Sequence, residues 1–447
     1  MKISDLAGRT ICILGFGKEG RAMADALEKY APGCKITIAD QSESLPLPVR
    51  QAGATRYPLI TGADAFKNLS QFDILIKSPG ISPYELSPSL VFTSPTQIFF
   101  DSIAHTGATV IGITGSKGKS TTSSLIHQIL AARYPLPARS GSEDPSGSRT
   151  TTRTFLIGNI GNPAISYIGE ATNGTIFVME MSSYQLMDLS VSPKIAILTS
   201  FFPEHLDYHR SLKSYMDAKK HITKFQGHGD SVYFNAASAE CEEIAEEGEG
   251  KKIGVSGDDC PVDLSETKLI GGHNRSNIAL AWKVAEALGV TKENATSAIK
   301  TFTPLPHRLQ SLGVHHGYEW INDSISTTPE SCIAALDALG DRVSVLILGG
   351  KDRGLDFSGL AERIMNSNVQ LILTIGEDGK RIAEIIKEKE VQYVETLVAA
   401  VRIAKEKSSN INHQSSIVLL SPASPSYDQF KNFEERGNAF QSFIKNL

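Results

Sequence analysis

Thr109-Val110-Ile111-Gly112-Ile113-Thr114-Gly115-Ser116-Lys117-Gly118-Lys119-Ser120-Thr121 sets the architecture of the central part of this chain. An apolar run turns through glycines into the helix-like Ser123-Ser124-Leu125-Ile126. A strand that turns this way into a helix presents backbone N–H groups and a positive dipole end to an anion. Lys119 would then reach the β- and γ-phosphates of a nucleotide, and the Ser120 hydroxyl would sit on Mg²⁺. The glycine of the usual G-x-x-x-x-G-K-S form is replaced by Ile113, which leaves the shorter T-G-x-x-G-K-S. The motif alone implies ATP or GTP.

Working outward, the 447 residues predict several α/β blocks. The first has the strand Thr10–Leu14, then Gly15-Phe16-Gly17-Lys18-Glu19-Gly20, a helix-like run, and a second strand ending in Asp40. That is a Rossmann-like βαβ pattern, with an acidic residue where a ribose carboxylate falls. A strand ending near Ile76 leads into Lys77-Ser78-Pro79-Gly80, a turn able to close over a diphosphate. In the central block, strands around 175–179 and 195–199 end in Glu180 and in Phe202-Pro203-Glu204-His205-Leu206-Asp207. Residues 135–153, rich in Pro, Ser and Gly, read as a mobile surface loop, and the acidic run 240–252 as a solvated face. The third block has strands near 318–321, 343–348 and 371–376, the pattern of another doubly wound sheet. The expected fold is therefore α/β in three domains: 1–107 Rossmann-like, 108–303 a mostly parallel P-loop ATPase domain, and 304–447 Rossmann-like.

Composition narrows the function classes. A 41% hydrophobic, 21% charged chain with formal charge −5 gives no reason to expect nucleic-acid binding. No apolar run reaches the span of a bilayer and the first residues lack a signal-peptide core, so no membrane insertion and a cytoplasmic location are expected. The five cysteines are scattered, without a metal-binding or disulfide pattern, and Cys12 reads as a small core residue.

Ordered motifs across nearly the whole chain resemble the Mur ligases, and within them the UDP-N-acetylmuramoyl-L-alanine:glutamate ligases. They are Thr114 to Ser120, Gly158-Asn159-Ile160-Gly161, Glu180-Met181-Ser182-Ser183-Tyr184-Gln185-Leu186, Glu204 to Asp207, Gly272-His273-Asn274-Arg275-Ser276-Asn277, Pro306-His307-Arg308, Asn322-Asp323-Ser324, and Ser421 to Ser424 running into 428–437. The resemblance implies a UDP-sugar domain, an ATPase domain and a glutamate-receiving domain acting in peptidoglycan precursor synthesis. The substrates it implies are UDP-N-acetylmuramoyl-L-alanine and glutamate, with ATP and Mg²⁺, at two metal sites, as cofactors.

A carboxylate is a poor electrophile at neutral pH, so amide formation first requires its conversion to an acyl phosphate at the expense of ATP. The enzyme must hold two anions in line and cancel their repulsion. Unit charges 4 Å apart interact by about 1 kcal/mol in water and several-fold more in a drier cleft, which explains the demand for lysine and Mg²⁺.

Residue by residue, the resemblance implies Lys119, His205 and Lys219 as catalytic groups. It implies Gly115, Ser116, Lys117, Gly118, Lys119, Ser120 and Thr121 around the ATP phosphates, with Asn277, Arg308 and Asp323 also on the ATP side. For metal it implies Ser120, Glu180, His205 and a carbamylated Lys219, a carbamate being an oxygen ligand suited to a hard ion. Composition does not separate Lys219 from Lys220. The UDP-substrate contacts it implies are Lys18, Glu19, Asp40, Ser78, Gly80, Asn159, Ser182 and His205. For glutamate it implies Thr327, Arg353, Ser426 and Phe433.

The acceptor loop departs from the common D-glutamate pattern. Ile325 stands where a lysine is usual, and Arg353 replaces a second lysine. A guanidinium grips a carboxylate through two parallel hydrogen bonds, which an ammonium cannot do. D-glutamate is the family default, and the two changes resemble a branch that adds L-glutamate. Three other readings make distinct predictions: a folylpolyglutamate synthetase, which lacks a first Rossmann block; a nicotinamide dehydrogenase, which leaves Lys119 unexplained; and a nucleotide switch, which would ignore amino acids.

Overall fold

The structure, a computed structural model, describes residues 1–43, 56–134, 152–407 and 416–446. Residues 135–151 of the expected surface loop lie outside them, and its last residue, Arg153, opens a strand. Among the described residues sixteen strands form three sheets. The first holds β1 (Thr10–Leu14), β2 (Lys35–Asp40), β3 (Leu59–Thr61) and β4 (Ile74–Lys77) in the order β3-β2-β1-β4. The second holds β5 (Thr109–Thr114), β6 (Arg153–Gly158), β7 (Thr175–Glu180), β8 (Ile195–Leu198), β9 (Ser231–Asn235) and β10 (Lys251–Val255), in the order β10-β9-β8-β5-β7-β6. Both are parallel throughout.

The third sheet holds β11 (Gln310–His315), β12 (Tyr318–Asn322), β13 (Val343–Gly349), β14 (Leu371–Ile375), β15 (Glu390–Glu395) and β16 (Ile417–Leu420), in the order β11-β12-β16-β13-β14-β15. Only the β11–β12 pairing is antiparallel among its described pairs. Successive residues of β13 face opposite cores: Leu346 and Leu348 pack into one, Val345 and Ile347 into the other. Helices therefore cover both faces, as a doubly wound sheet requires.

The chain divides into two compact units, 1–263 with 275–301, and 264–274 with 302–447. The first two sheets share a unit because one apolar cluster runs between them. Ile11 and Ile13 of β1, Phe99 of helix Pro95–Ile103 and Phe177 of β7 belong to it, with the two phenylalanine rings edge to face at 5.4 Å. Residues 264–274 group with the third sheet.

The acidic run is a solvated face, as expected, with Glu240, Glu242, Glu243, Glu246, Glu247 and Glu249 exposed. Residues Ala239–Ala245 form a helix whose Cys241 and Ile244 are fully buried, and Glu243 and Glu247 face Lys220. Cys12 is fully buried in β1, as expected. No helix among the described residues is long and apolar enough to cross a membrane.

In parallel sheets, ligands bind beyond the strand C-termini where the connections reverse direction. Those points fall between β1 and β4, around β5, and between β13 and β16.

Candidate active site

At the end of β5 the chain wraps into a tight cradle. Gly115 has φ 154°, and a Cβ there would lie 2.0 Å from Thr199 Oγ1. Gly118 has φ 87°, and a Cβ there would lie 2.4 Å from Asn277 Oδ1. Only glycine fits either position. Helix Lys119–Arg133 follows, and the Thr122 N–H to Gly118 carbonyl bond begins its ladder. In the preceding turn the Ser116 N–H donates to the Ser200 carbonyl at 2.9 Å and the Lys117 N–H to the Ser200 hydroxyl at 2.8 Å, so the anion-facing end is the start of the helix itself, whose first N–H groups lie outside its ladder.

Lys119 Nζ donates to the carbonyls of Gly115, 2.7 Å, and Ser116, 2.9 Å, which anchors the ammonium beside the cradle. Lys117 pairs with Glu204 at 2.6 Å. The Ser116 side chain is structural: its buried hydroxyl bonds the Phe202 carbonyl and the Tyr215 hydroxyl, both at 2.9 Å. Ser120 is half-buried in the first helical turn, and Thr121 beside it is buried. Asn277 is buried behind the loop, where its Oδ1 and the Thr122 hydroxyl stand 3.3 Å apart.

Glu180 ends β7, buried, and accepts from Asn159 Nδ2 at 2.9 Å through Oε1. Its other carboxylate oxygen is buried and, among the described residues, has no hydrogen-bond partner. A buried charge normally has a counter-charge or a metal, so this oxygen fits a cation. Among the described residues no three acidic, His or Cys side chains gather into a metal cage. Mg²⁺ takes one or two carboxylates and leaves the rest of its shell to water and phosphate, so the Glu180 oxygen is a donor of the right kind for it.

Lys219 and Lys220 separate clearly. Lys219 is 1% exposed, its Nζ 3.5 Å from Thr114 Oγ1 and 4.7 Å from the centre of the Tyr215 ring. Burial, helped by the positive charge of Lys119, holds its pKa well below the ordinary lysine value. Lys220 turns outward to its glutamates.

His205 begins the one-turn helix Leu206–His209, bounded by two non-glycine residues in left-handed conformation, His205 at φ 57° and Arg210 at φ 63°. Each costs of order 1 kcal/mol, so the turn must be held from outside. The Tyr208 hydroxyl reaches the carbonyls of Pro79, 2.8 Å, and Ile81, 2.9 Å. Arg210 lies over the Tyr84 ring at 4.3 Å, and His209 Nε2 meets the Ser183 hydroxyl at 2.9 Å. The His205 side chain is exposed, with its ring centre 5.0 Å from that of Tyr184, and partial desolvation there, with Lys119 and Lys219 nearby, lowers its pKa despite Glu204.

The first sheet carries the expected UDP-substrate residues at its crevice. Ser78 donates to the Gly15 carbonyl at 2.8 Å, joining the turns after β1 and β4, while Gly80 lies open beside them. Asp40 accepts from the N–H groups of Phe16 and Ser42, both at 2.8 Å, so its carboxylate shapes the glycine turn. Lys18 donates to the Gly161 carbonyl. Burial lifts the Glu19 carboxyl to about 7, against the opposing effects of a 3.1 Å bond from Gln185 and of Lys18. Ser182 is absorbed in a capping box with Gln185. Beneath the crevice Lys77 Nζ pairs with Asp188 at 2.7 Å, their side chains 0% and 5% exposed, and donates to the Ile81 carbonyl at 2.9 Å. The sequence reading missed both this pair and Tyr208.

In the second unit the Asp323 carboxylate is buried, accepting from Leu309 N–H at 3.1 Å and the Ser421 hydroxyl at 2.9 Å. Arg308 is half-buried, with Nε lacking a hydrogen-bond partner. Thr327 and Phe433 are half-buried, Ser426 is buried, and Arg353 is exposed. These four stand on the segments after β12, β16 and β13 and at the start of helix Phe433–Asn446. Arg436 of that helix, buried, ties two of the segments together by donating to the carbonyls of Ser324 and Ser424, both at 2.9 Å.

This arrangement, a phosphate cradle and a buried lysine amine in one unit and a doubly wound sheet in the other, is matched by two family descriptions. Residues 113–259 match the Mur ligase middle domain, and 307–424 the Mur ligase glutamate ligase domain. The chain belongs to the Mur ligase family. It is 32% identical to the UDP-N-acetylmuramoyl-L-alanine--L-glutamate ligase of Micromonospora sp., over 100% of this chain and 98% of that protein. It is also 32% identical to the UDP-N-acetylmuramoylalanine--D-glutamate ligase of Leuconostoc citreum, over 100% and 99%. The solved UDP-N-acetylmuramate-alanine ligase of Thermotoga maritima shares the fold, with a TM-score of 0.59 at 17% identity over 98% of this chain and 99% of that one. The Thermotoga maritima MurF ligase solved with ADP does so with a TM-score of 0.58 at 14% identity, over 100% and 97%.

Proposed function

We propose that this protein is an ATP-dependent ligase that joins glutamate to the alanyl carboxylate of UDP-N-acetylmuramoyl-L-alanine, in the cytoplasm, through an acyl phosphate. The observation that carries the reading is the cluster at the β5, β7 and β8 ends. There Lys119 stands beside the cradle, Lys219 offers a buried amine with a strongly lowered pKa, and Glu180 presents an unpartnered carboxylate oxygen. The names of the full-length relatives supply the substrates.

In this reading the start of helix Lys119–Arg133 and Lys119 hold the phosphates, and Lys119 balances charge on the transferring group. Arg308 and Asp323 are the further residues we propose for ATP. Lys18, Glu19, Asp40, Ser78, Gly80, Asn159 and Ser182 form or shape the UDP-sugar site. Mg²⁺ would be held by Glu180 and Ser120, with His205 and a carbamylated Lys219 proposed for a second ion, and it would supply neutralisation of phosphate charge. An amine adds CO₂ only when neutral, and the lowered pKa of Lys219 favours that form. Lowered in the same direction, His205 keeps a lone pair near the reacting end. Thr327, Arg353, Ser426 and Phe433 seat the amino acid.

We assign the acceptor as L-glutamate. Arg353 in place of lysine and Ile325 in place of another support this, since a bidentate guanidinium and a lost ammonium together move the carboxylate's binding point. The names of the relatives divide on this point: that of the Micromonospora protein agrees, and that of the equally identical Leuconostoc citreum protein names D-glutamate. The test is phosphate release with UDP-N-acetylmuramoyl-L-alanine and each glutamate enantiomer separately. Turnover with L-glutamate and little with D-glutamate is expected. The reverse preference refutes the stereochemical assignment, and phosphate release indifferent to either amino acid refutes the ligase.

A further inference from the structure

The acceptor side contains an ionic hub that no expected glutamate contact includes. Arg381 lies in helix Gly376–Ile385, following β14, with its side chain 37% exposed. Its Nη1 donates to Asp352 Oδ1 at 2.7 Å and to Asp378 Oδ1 at 2.8 Å, and its Nη2 donates to the Leu355 carbonyl at 3.0 Å. The guanidinium also lies over the Phe357 ring at 5.5 Å. Asp352 immediately precedes Arg353, and Leu355 follows it by two residues. One planar group therefore grips the chain on both sides of Arg353, whose own guanidinium bonds no described residue.

The grip is anchored below. Asp378 is fully buried, accepts from the Ser424 hydroxyl at 2.7 Å, and donates its N–H to the Gly350 carbonyl at 2.8 Å. The loop entrance is clamped against the segment carrying Ser426. Lys351 N–H donates to the Pro425 carbonyl at 2.8 Å, and a Cβ on Gly350 would lie 2.0 Å from that same oxygen. Within the loop, Asp352 Oδ1 accepts from Gly354 N–H at 2.7 Å as well as from Arg381, so the carboxylate folds the chain around position 353. The hub joins the Arg353 loop to the Ser426 segment through Asp378 and Ser424.

We propose that Arg381 is a positioning residue for the amino-acid acceptor: by bridging Asp352, Asp378 and the Leu355 carbonyl it fixes the direction in which Arg353 meets the carboxylate of glutamate. The inference rests on the reading of Arg353 as a glutamate-binding residue. An exposed arginine on a free loop loses rotamer and backbone entropy when it binds, whereas one on a clamped loop has lost part of it beforehand. Arg381 touches no substrate in this scheme and acts only through Arg353.

The test is steady-state kinetics of the full chain with saturating ATP and UDP-N-acetylmuramoyl-L-alanine and varied glutamate. Arg381→Met is expected to raise KM for glutamate about tenfold, with kcat and the other two KM values within about twofold of the unaltered protein. Arg381→Lys, which keeps a charge for Asp378 but cannot also span to the Leu355 carbonyl, should fall between. The deciding comparison is Arg353→Met with and without Arg381→Met. If Arg381 acts through Arg353, the second substitution adds nothing to the first. Additive effects, an unchanged glutamate KM in Arg381→Met, or an equal loss in all parameters would overturn the proposal. If Arg353→Met itself leaves the glutamate KM unchanged, the glutamate assignment of Arg353 fails instead, whatever Arg381 does. Arg381 is part-exposed and Asp378 keeps its bond from the Ser424 hydroxyl in the variant; urea unfolding and an unchanged far-ultraviolet spectrum check that Arg381→Met is folded before its kinetics are read.

Discussion

Replacing Lys77 by methionine removes the cation of an ion pair whose two side chains are 0% and 5% exposed. Burial already lifts the Asp188 carboxyl above its ordinary range, in spite of Lys77 at 2.7 Å. Once Lys77 is gone, Asp188 is a lone buried acid, and breaking a buried pair in this way costs about 3–5 kcal/mol. The pair does not repay its desolvation generously, so Lys77→Met/Asp188→Leu should recover most of that loss, because apolar replacement of a whole buried pair is often neutral or better.

The sign of the pH dependence follows from the raised pKa. In Lys77→Met the folded state binds a proton that the unfolded state releases. Stability of that variant should therefore rise as pH falls through the folded-state value of Asp188, and the double variant should lose this slope. Urea unfolding reads it out, with the loss appearing in the midpoint rather than the m-value. The two tryptophans, Trp282 in the first unit and Trp320 in the second, allow a Trp320→Phe background in which fluorescence follows the first unit alone. Binding provides a second readout: Lys77 Nζ holds the Ile81 carbonyl beside Ser78 and Gly80, so UDP-substrate affinity should fall in the single variant. A single variant costing under about 1 kcal/mol, or a double variant no better than the single, refutes the reasoning.

Two further outcomes are expected. With the Glu19 carboxyl at about 7, raising the pH from 6 to 8 places a new negative charge beside a diphosphate, so UDP-substrate affinity should weaken across that window and Glu19→Gln should flatten the profile in calorimetric titration. Lys219→Ala should abolish turnover while sparing UDP-substrate binding, and millimolar short-chain carboxylates should restore part of the activity; full activity without them would remove Lys219 from the mechanism.

Much of the fold is written in local pattern, and the remainder depends on contact. β5, β7 and β13 lie inside their sheets, so each reads as a short apolar run ending at a glycine or a functional residue. Strands β10, β11 and β15 lie at sheet edges and carry charged or polar residues on exposed positions, which dilutes the alternation that would reveal them. Lys219 and Lys220 are chemically identical in the sequence, and only the roughly 100° rotation between neighbouring helix positions sends one inward. Asp40, Ser182 and Asp323 lie at the strand ends and turns the motifs suggest, yet their side chains bond backbone or neighbouring side chains, a role that motif spacing does not distinguish from ligand contact. Lys77 with Asp188, and Tyr208 with Pro79, join segments more than a hundred residues apart, so no local window contains the signal.

The way Tyr208 docks has a consequence for divergence. Its hydroxyl meets two main-chain carbonyls, at positions 79 and 81, and Arg210 likewise reaches the carbonyl of Tyr84 at 3.4 Å. An attachment made to backbone constrains the path of the chain at 79 and 81 whatever side chains stand there, whereas Tyr84, whose ring carries Arg210, is held by its identity. Replacement of the side chain at 79 or 81 should thus leave His205, which the same docking supports, where it stands.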